Sequence, residues 1–594
     1  MKLSVIAVDY DGTVAEAGAL DPDVRAVLAE LRDRGIVAIL VTGRILSDLR
    51  RVAGDLRFVD AVVAENGAVL HFPGRRHSRV LGRPPAGDFL AALQAQGIAF
   101  DVGDCVVEAA ASVAPRVMAL IQEMEVPLVL AFNRSRLMIL PEGVSKATGL
   151  REALAALRRS PHNTVGIGDA ENDYSLLEFC EVGLAVGSAS PRLKAVADAV
   201  IEGSGPAAVA ECMRRLASQN RLSPDLTGRR RLLLGHSLDN RPVTLAVLGR
   251  NLLIAGRAGS GKSWVAGLLA EQLILQRYCV CVIDPEGDYR SLELLPGVVL
   301  LGGDLRPPRL GDVLDALRHP DVSVVVELAG VPHAEKIDYL HTLLPALAEL
   351  RRRTGLPHRI VVDEAHYFLD RPDVESLLDL ELAGYALVTY RVSQLRADVL
   401  ATIETVVFTH ENDAGELGAV CEGFRVGLEA ASWGATLSAL GTGEAAIISR
   451  QAGAWGQVAR LRLAPRITAH VRHRTKYLDV AVATGRSFVF TDSDGRVTDH
   501  VRSLREFVNG LTRASVESIQ GHLRRGDFSR WVGEVLDDQA LASRLEEVEA
   551  QYRPDQIVET VERIARAIRA RYDYPASEDP VGAGELAAVA DKSM

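Results

Sequence analysis

At 594 residues the chain is too long for one hydrophobic core, and ordinary domain sizes point to three or four domains. Apolar residues make up 48% and charged residues 24%, which excludes a disordered chain and leaves enough material for buried cores. The net charge of −11 disfavours non-specific attraction of the whole molecule to nucleic acid or anionic membrane, while a local basic surface stays compatible with it. Cys105, Cys180, Cys212, Cys279, Cys281 and Cys421 are scattered, and Cys279-Val280-Cys281 has no second pair to complete a metal site. They read as buried thiols of a reduced protein. The start lacks signal-peptide features and no uncharged apolar run reaches spanning length, so the expectation is a cytoplasmic protein without a membrane partner.

From the start the pattern runs strand (Leu3 to Val8), Asp9-Tyr10-Asp11-Gly12-Thr13, amphipathic helix (Asp21 to Arg34), strand (Val37 to Val41) and Thr42-Gly43-Arg44. This is a βαβ rhythm, expected to build an α/β domain. Two polar clusters follow: Lys146 in Gly143-Val144-Ser145-Lys146, and Gly168-Asp169-Ala170-Glu171-Asn172-Asp173 after a strand from Thr164 to Ile167. Each has a bland reading alone, since Asp-x-Asp-Gly-Thr can be an ordinary turn and Lys146 a solvated helix-start lysine. Four in order, each at a strand end or helix start, point to chemistry.

A carboxylate can attack a phosphoryl group once a divalent cation offsets the repulsion between two anions. Asp9 is the candidate nucleophile, and Asp11 the group that protonates the leaving oxygen and then activates water. Thr42 and Lys146 are placed to hold phosphoryl oxygens. Asp169 joins Asp9 in a hard oxygen site for Mg²⁺, with Asp11, Asn172 and Asp173 as further members, the last two orienting Lys146 and the metal's water.

These residues resemble the haloacid dehalogenase superfamily, in its branch of sugar-phosphate and phosphoglycolate phosphatases, over roughly residues 1 to 210 and including Glu65-Asn66-Gly67-Ala68. The resemblance implies a Rossmann-like core with a small α/β cap inserted from about Pro73 to Leu140. Two cap helices are expected, at Asp88 to Ala95 and Ala114 to Glu123. It also implies a phosphorylated small-molecule substrate, such as a sugar phosphate.

After about residue 210 the composition turns polar and basic, through Arg214, Arg215, Gln219, Asn220 and Arg229 to Arg231, which reads as an exposed connector. Strands at Val243 to Val247 and Leu252 to Ala255 then lead into Gly256-Arg257-Ala258-Gly259-Ser260-Gly261-Lys262-Ser263 and a helix from Ser263 to Leu275. This is a complete phosphate-binding loop. Gly256, Gly259, Ser260 and Gly261 let backbone amides approach the phosphates of ATP, Lys262 reaches the β- and γ-phosphates, and Ser263 offers a hydroxyl to Mg²⁺. Downstream, the strand Arg359 to Val362 delivers Asp363 to the metal shell and Glu364 as the base that polarises water.

Asp284-Pro285-Glu286-Gly287-Asp288-Tyr289 and Asp363-Glu364-Ala365-His366 together resemble the HerA and FtsK group of P-loop ATPases, including type IV secretion ATPases, over roughly residues 232 to 450. The resemblance implies a RecA-like domain with a mainly parallel sheet, and a homo-oligomeric, often hexameric ring acting on nucleic acid or protein. Gly443 to Ile448 resembles the group's late strand. Tyr390 stands where the group carries a sensor glutamine and Val392 where it carries a proline, so coupling of hydrolysis to movement does not follow from the resemblance. Arg391 and Arg450 are candidate arginine fingers, each with a surface salt bridge as the competing reading.

Arg466, His470, Arg472, His473, Arg474 and Lys476 form a basic run with Tyr477 as the nearby aromatic. Nucleic-acid binding competes there with a solvated interdomain face. Ser487 to Thr491, Asp494-Gly495 and Arg496 to Val501 read as a hairpin. Five helices follow, at Leu504 to Leu511, Ser515 to Arg524, Phe528 to Val535, Leu541 to Gln551 and Gln556 to Arg571, with Gly526 as a stop and Asp527 as the next N-cap. His522 and Asp527 read as packing and capping residues.

The expected domains are residues 1–210, 222–465 and 475–574, with a flexible tail over 575–594. The expected function is a dual hydrolase, a Mg²⁺-dependent phosphatase fused to an ATPase. The alternatives are a ring-forming motor regulated by the phosphatase, and a sensor in which one site binds without turnover.

Overall fold

The computed structural model describes residues 1–133, 135–222, 229–247, 251–369, 377–379, 382–424, 430–451, 454–456, 458–468, 482, 484–492, 494–536 and 538–572. The expected tail and the basic positions His470 to Tyr477 lie outside the described residues. The chain divides into two compact units: Met1–Pro285 with Tyr289–Ala469, and His470–Met594 with Glu286–Asp288.

The first unit holds two α/β sheets. One has eight strands in the order Ala199–Val200, Val182–Ala185, Thr164–Gly168, Val5–Asp9, Val37–Val41, Ala61–Ala64, Val69–Phe72, His77–Val80. The first six are parallel and the last two antiparallel. A parallel strand is buried on both faces, which explains the unbroken apolar run before Asp9. Ile6 and Val8 enter the core on one side, while Val5 and Ala7 enter the core on the other. The helix Pro22–Asp33 starts at Asp21, whose carboxylate accepts from the Asp23 and Val24 amides, and it buries Val24, Val27, Leu28 and Leu31.

Two stretches differ from expectation. His77–Val80 falls in the part read as cap, yet it is the edge strand of the core sheet, paired with Val69–Phe72. The first part of the polar segment after residue 210 is not exposed chain: Gly205–Gln219 is a helix that buries Val209, Cys212, Met213 and Leu216 and leaves its charged side outward. Its amphipathic stripe was masked by the arginines between the apolar positions. Arg229 is likewise docked, forking onto Asp198.

The inserted subdomain is a four-stranded antiparallel sheet in the order Leu128–Asn133, Arg136–Pro141, Val107–Ala110, Phe100–Val102. The helices Gly87–Ala95 and Ala114–Glu123 cover one face, with Phe89, Leu93, Val117, Leu120 and Ile121 packed on Val107, Leu137 and Ile139.

In the second sheet, seven parallel strands run Ile403–Phe408, Asn251–Ala255, Tyr385–Thr389, Arg359–Val362, Val280–Asp284, Ser323–Glu327, Val298–Gly302. Antiparallel strands extend it beyond Ile403–Phe408, through Glu444–Gln451, Ala459–Leu463, Arg231–Ser237 and Pro242–Ala246. Arg466, the first of the basic run, is buried against Glu271 and Trp264 and contributes no basic surface.

The second unit contains the hairpin Phe488–Thr491 and Val497–Val501 and the helices Leu504–Arg513, Val516–Arg525, Asp527–Val535, Gln539–Ala550 and Ile557–Tyr572. Asp527 is the first residue of its helix and not the cap. Gly526 holds the left-handed cap position, and the first-turn amides of Phe528 and Ser529 donate to Glu549 on the next helix. Asp527 instead takes His522 at 2.8 Å and Arg525 at 2.8 Å.

Candidate active sites

Strand ends in the first sheet bring the polar clusters together. Asp9 ends its strand, Asp169 follows the neighbouring one, and each is 3% exposed. Asp9, Asp169 and Asp173 each offer a carboxylate oxygen, all within 4.8 Å of one another. Lys146 begins the helix Lys146–Leu157, capped by Ser145, and its buried ammonium donates to Asp9 Oδ1 at 2.5 Å and Asp173 Oδ1 at 2.6 Å. Burial works against that charge, but the two carboxylates outweigh it and raise the lysine's pKa. Burial and then Asp173 push the Asp9 carboxyl well up, with Lys146 opposing. Asp173 also accepts from the Asp169 and Ala170 amides, at 3.0 Å each, so it fixes the loop as well as the lysine.

The segment Glu65-Asn66-Gly67 holds this arrangement. A Cβ on Gly67, whose φ is +108°, would lie 1.9 Å from the Ser145 carbonyl oxygen, so only glycine lets the Lys146 helix approach this closely. Glu65 reaches the inserted subdomain and accepts from the amides of Asp104, Cys105 and Val106 at 2.8 to 3.1 Å. Asn66 accepts from Asn172 at 3.2 Å. The other side-chain atom of Asn172, Oδ1, is buried without a hydrogen-bond partner.

Asp11 stands apart from the trio. Arg44 grips it with two nitrogens, at 2.6 and 2.7 Å, and takes Asp48 at 2.6 Å with a third. Thr42 is fully buried, and its hydroxyl accepts from the Arg44 amide at 3.1 Å. Sequence reasoning gave Arg44 no part; its place directly after Thr42-Gly43 was the available signal.

At the second sheet, Gly256 to Ser263 joins the strand Asn251–Ala255 to the helix Lys262–Leu275. A Cβ on Gly256 would lie 2.1 Å from Thr409 Oγ1, and Ser260 Oγ sits 2.6 Å from that same hydroxyl. Lys262 donates to the Arg257 carbonyl at 2.9 Å, within its own loop. Its ammonium also lies 5.6 Å from the Tyr390 ring centre, within cation–π range. Asp363 and Glu364 follow the strand Arg359–Val362 and are 2% exposed. Glu364 has φ +47°, a left-handed conformation that a β-carbon disfavours. Asp363 accepts from the Glu364 amide at 2.9 Å.

The strand Tyr385–Thr389 lies between the loop strand and the Asp363 strand, so Tyr390 at its end falls between Lys262 and the acidic pair. Tyr390 meets His366 edge-on at 4.5 Å, and His366 Nδ1 is 3.6 Å from Glu364. Burial, then Lys262, pushes His366 down to about 3, so this ring is neutral. Of the two finger candidates, Arg391 lies 3.6 Å from Glu416, and Arg450 donates to the Ala401 carbonyl at 3.3 Å.

A family model described as haloacid dehalogenase-like hydrolase matches residues 6–80 and 116–213, and one described as the central domain of helicase HerA matches residues 233–341. A phosphoglycolate phosphatase of Aeropyrum pernix is 32% identical over 226 residues, covering 36% of this chain and 94% of that protein. Phosphoglycolate phosphatase 2 of Saccharolobus solfataricus is 25% identical over 222 residues, 36% of this chain and 93% of that protein. A solved haloacid dehalogenase-like hydrolase from B. subtilis overlaps 36% of this chain and 99% of its own at 19% identity, with a TM-score of 0.32. No helix among the described residues is long and apolar enough to cross a membrane. The chain is a hydrolase that belongs through its first domain to the haloacid dehalogenase-like family, with a HerA-type ATPase domain fused behind it.

Proposed function

We propose that the first domain is a Mg²⁺-dependent phosphomonoesterase that forms an aspartyl-phosphate on Asp9, and that the second hydrolyses ATP. The observation that carries the first half is the buried set Asp9, Lys146, Asp169 and Asp173 at the carboxyl ends of parallel strands, where open α/β sheets bind ligands. The three carboxylates offer only oxygen, which suits a hard cation. Asp9 and Asp169 would hold Mg²⁺, which supplies charge neutralisation between nucleophile and phosphoryl group.

An Asp9 oxygen attacks phosphorus and the bond to the leaving alkoxide breaks. Asp11 gives that alkoxide a proton. Asp11 then takes a proton from the water that hydrolyses the acyl phosphate. Arg44 donates to both Asp11 oxygens, so it fixes where that carboxyl stands. Lys146 and Thr42 steady the phosphoryl oxygens.

In the second domain Lys262, which now donates to the Arg257 carbonyl, would reach the β- and γ-phosphates of bound ATP, Ser263 and Asp363 would hold a divalent metal that offsets phosphate charge, and Glu364 would orient and deprotonate water. The relatives named phosphoglycolate phosphatase suggest small phosphate esters as substrates of the first site. Phosphate release from p-nitrophenyl phosphate with and without Mg²⁺, and from ATP in a separate assay, tests both halves. Failure of the first assay at every metal concentration refutes the phosphatase half, and failure of the second refutes the ATPase half.

A further inference from the structure

The phosphate chain of a nucleotide held at Gly256 to Ser263 has a direction. Its γ end faces Asp363 and the general base Glu364, which follow the strand Arg359–Val362, two places from the loop strand Asn251–Ala255 on one side. The nucleoside therefore leaves toward the other flank, where the strands Ile403–Phe408, Glu444–Gln451 and Ala459–Leu463 lie. Ala459–Leu463 is antiparallel to Glu444–Gln451, itself antiparallel to Ile403–Phe408, so it runs parallel to the loop strand and ends on the loop's side of the sheet.

Arg466 follows the end of that strand. Its side chain is fully buried, with the guanidinium carbon 5.7 Å from the centre of the Trp264 ring and Nε 3.6 Å from Glu271 Oε2. Glu271 also accepts from the amides of Ile467 and Thr468 at 2.8 and 3.1 Å and from the Thr468 hydroxyl at 2.9 Å, and Arg466 donates to that hydroxyl at 2.8 Å. A Cβ on Gly267 would overlap the guanidinium, so glycine is what admits it there. Trp264, Gly267 and Glu271 are three and four residues apart on the helix Lys262–Leu275, hence on one face. Trp264 directly follows Ser263, about 3 Å along the axis from Lys262, and a helical side chain leans toward the preceding turn, which here is the phosphate loop. The indole is held by the buried cation yet stays partly exposed. The other ring near the loop, Tyr390, lies between Lys262 and the acidic pair, on the side of the γ-phosphate and the attacking water.

Resting on the ATPase reading above, we propose that Trp264 is the nucleobase platform of the second site: the base of bound ATP stacks on the indole, and the Arg466–Glu271 clamp holds the indole in place. A ring already fixed loses little freedom when a base settles on it. Stacking reads the π face that every base carries, so the platform adds affinity for nucleoside triphosphates and none for inorganic polyphosphate.

The test compares two inhibition constants against ATP hydrolysis by the full-length protein, read as ADP formation: that of the non-hydrolysable analogue AMP-PNP and that of inorganic tripolyphosphate. The two share the phosphate chain and differ in the nucleoside. Trp264→Ala should weaken AMP-PNP by about tenfold, the scale of one base stacked on an aromatic ring, and leave tripolyphosphate where it was. Trp264→Phe keeps a ring and should retain most of the AMP-PNP affinity. Should Trp264→Ala fail to fold, Trp264→Leu keeps bulk against Arg466 without the π face and should show the same split. Both constants rising together in a folded variant would make Trp264 a prop of the phosphate loop and overturn the platform, and so would an AMP-PNP constant that does not move. In either case ATP turnover by the unaltered protein preserves the ATPase reading. An unaltered protein that hydrolyses no ATP overturns that reading and the platform with it.

Discussion

The imidazole of His162 in the phosphatase domain stacks on the phenol of Tyr278 in the ATPase domain, with ring centres 3.6 Å apart and planes 19° from parallel. Glu181 is fully buried beside them, 2.7 Å from His162 Nδ1 and accepting from the Tyr278 hydroxyl at 2.8 and 3.0 Å. His162 stands just before the strand Thr164–Gly168, which Asp169 follows, and Tyr278 just before the strand Val280–Asp284. His358, next to both rings, directly precedes the strand Arg359–Val362, which Asp363 follows. The amino ends of these strands therefore share one junction, and the carboxylates of each site lie about one strand length, ~15 Å, away from it.

Tyr278→Ala removes the stack and one donor to Glu181. Loss of a buried aromatic costs about 3 to 5 kcal/mol, and a carboxylate deprived of a partner adds to it. The free energy of urea unfolding should fall by that amount, lowering the midpoint, and unfolding should separate into two transitions as the domains come apart. A single transition at the original midpoint would show that the junction is not what joins them.

The same junction predicts acid sensitivity. His358 Nδ1 accepts from the Cys279 amide, and its Nε2 faces Asn163 Oδ1 at 3.0 Å, which is the pattern of a neutral ring. Burial, followed by His162 and Arg351, lowers its pKa well below the ordinary 6.5. The unfolded chain binds a proton there as pH falls through about 6.5 and the folded chain does not, so this contribution is complete above that pH and is lost below it. Melting temperature should fall between pH 7 and 5.5, and His358→Gln should flatten the fall. An identical slope in the variant assigns the acid loss elsewhere.

Much of both sites was legible because phosphate chemistry places its residues at strand ends, and Asp9, Asp169, the phosphate loop and Asp363 each follow an apolar run. The alternation of Ile6 and Val8 against Val5 and Ala7 gives no periodic signal, yet the run's length and the turn after it were enough. What stayed hidden depends on contacts distant in sequence. Glu65 capping the loop at Asp104 to Val106, Glu181 receiving Tyr278, and Glu549 capping the helix at Asp527 are ordinary glutamates until the fold brings amides or hydroxyls to them. His77–Val80 was misplaced for a related reason: an exposed edge strand of mixed residues carries no apolar alternation to distinguish it from a linker.

Asp9→Asn should abolish ester hydrolysis while leaving ATP hydrolysis intact, since the two sites share no residue. Asp169→Ala should instead raise the Mg²⁺ concentration needed for half-maximal phosphatase rate, because it removes one oxygen ligand and keeps the nucleophile. Near wild-type turnover in the first variant, or an unshifted metal titration in the second, would reject the corresponding role.

In the ATPase domain, binding and hydrolysis should separate between two residues. Lys262→Ala removes the ammonium that now rests on the Arg257 carbonyl, so ATP binding and hydrolysis should fall together. Glu364→Gln keeps the size of a side chain held at φ +47° and removes its basicity, so ATP should still bind while hydrolysis falls by about 100-fold or more, the usual scale for a positioned base. Binding is read by a fluorescent ATP analogue and hydrolysis by phosphate release. If the domain works as a ring, the Glu364→Gln protein with ATP should also scatter light as a larger particle than without it. Normal ATP turnover in that variant would remove Glu364 from the mechanism, and a particle of unchanged size in every nucleotide state would reject the ring while leaving hydrolysis standing.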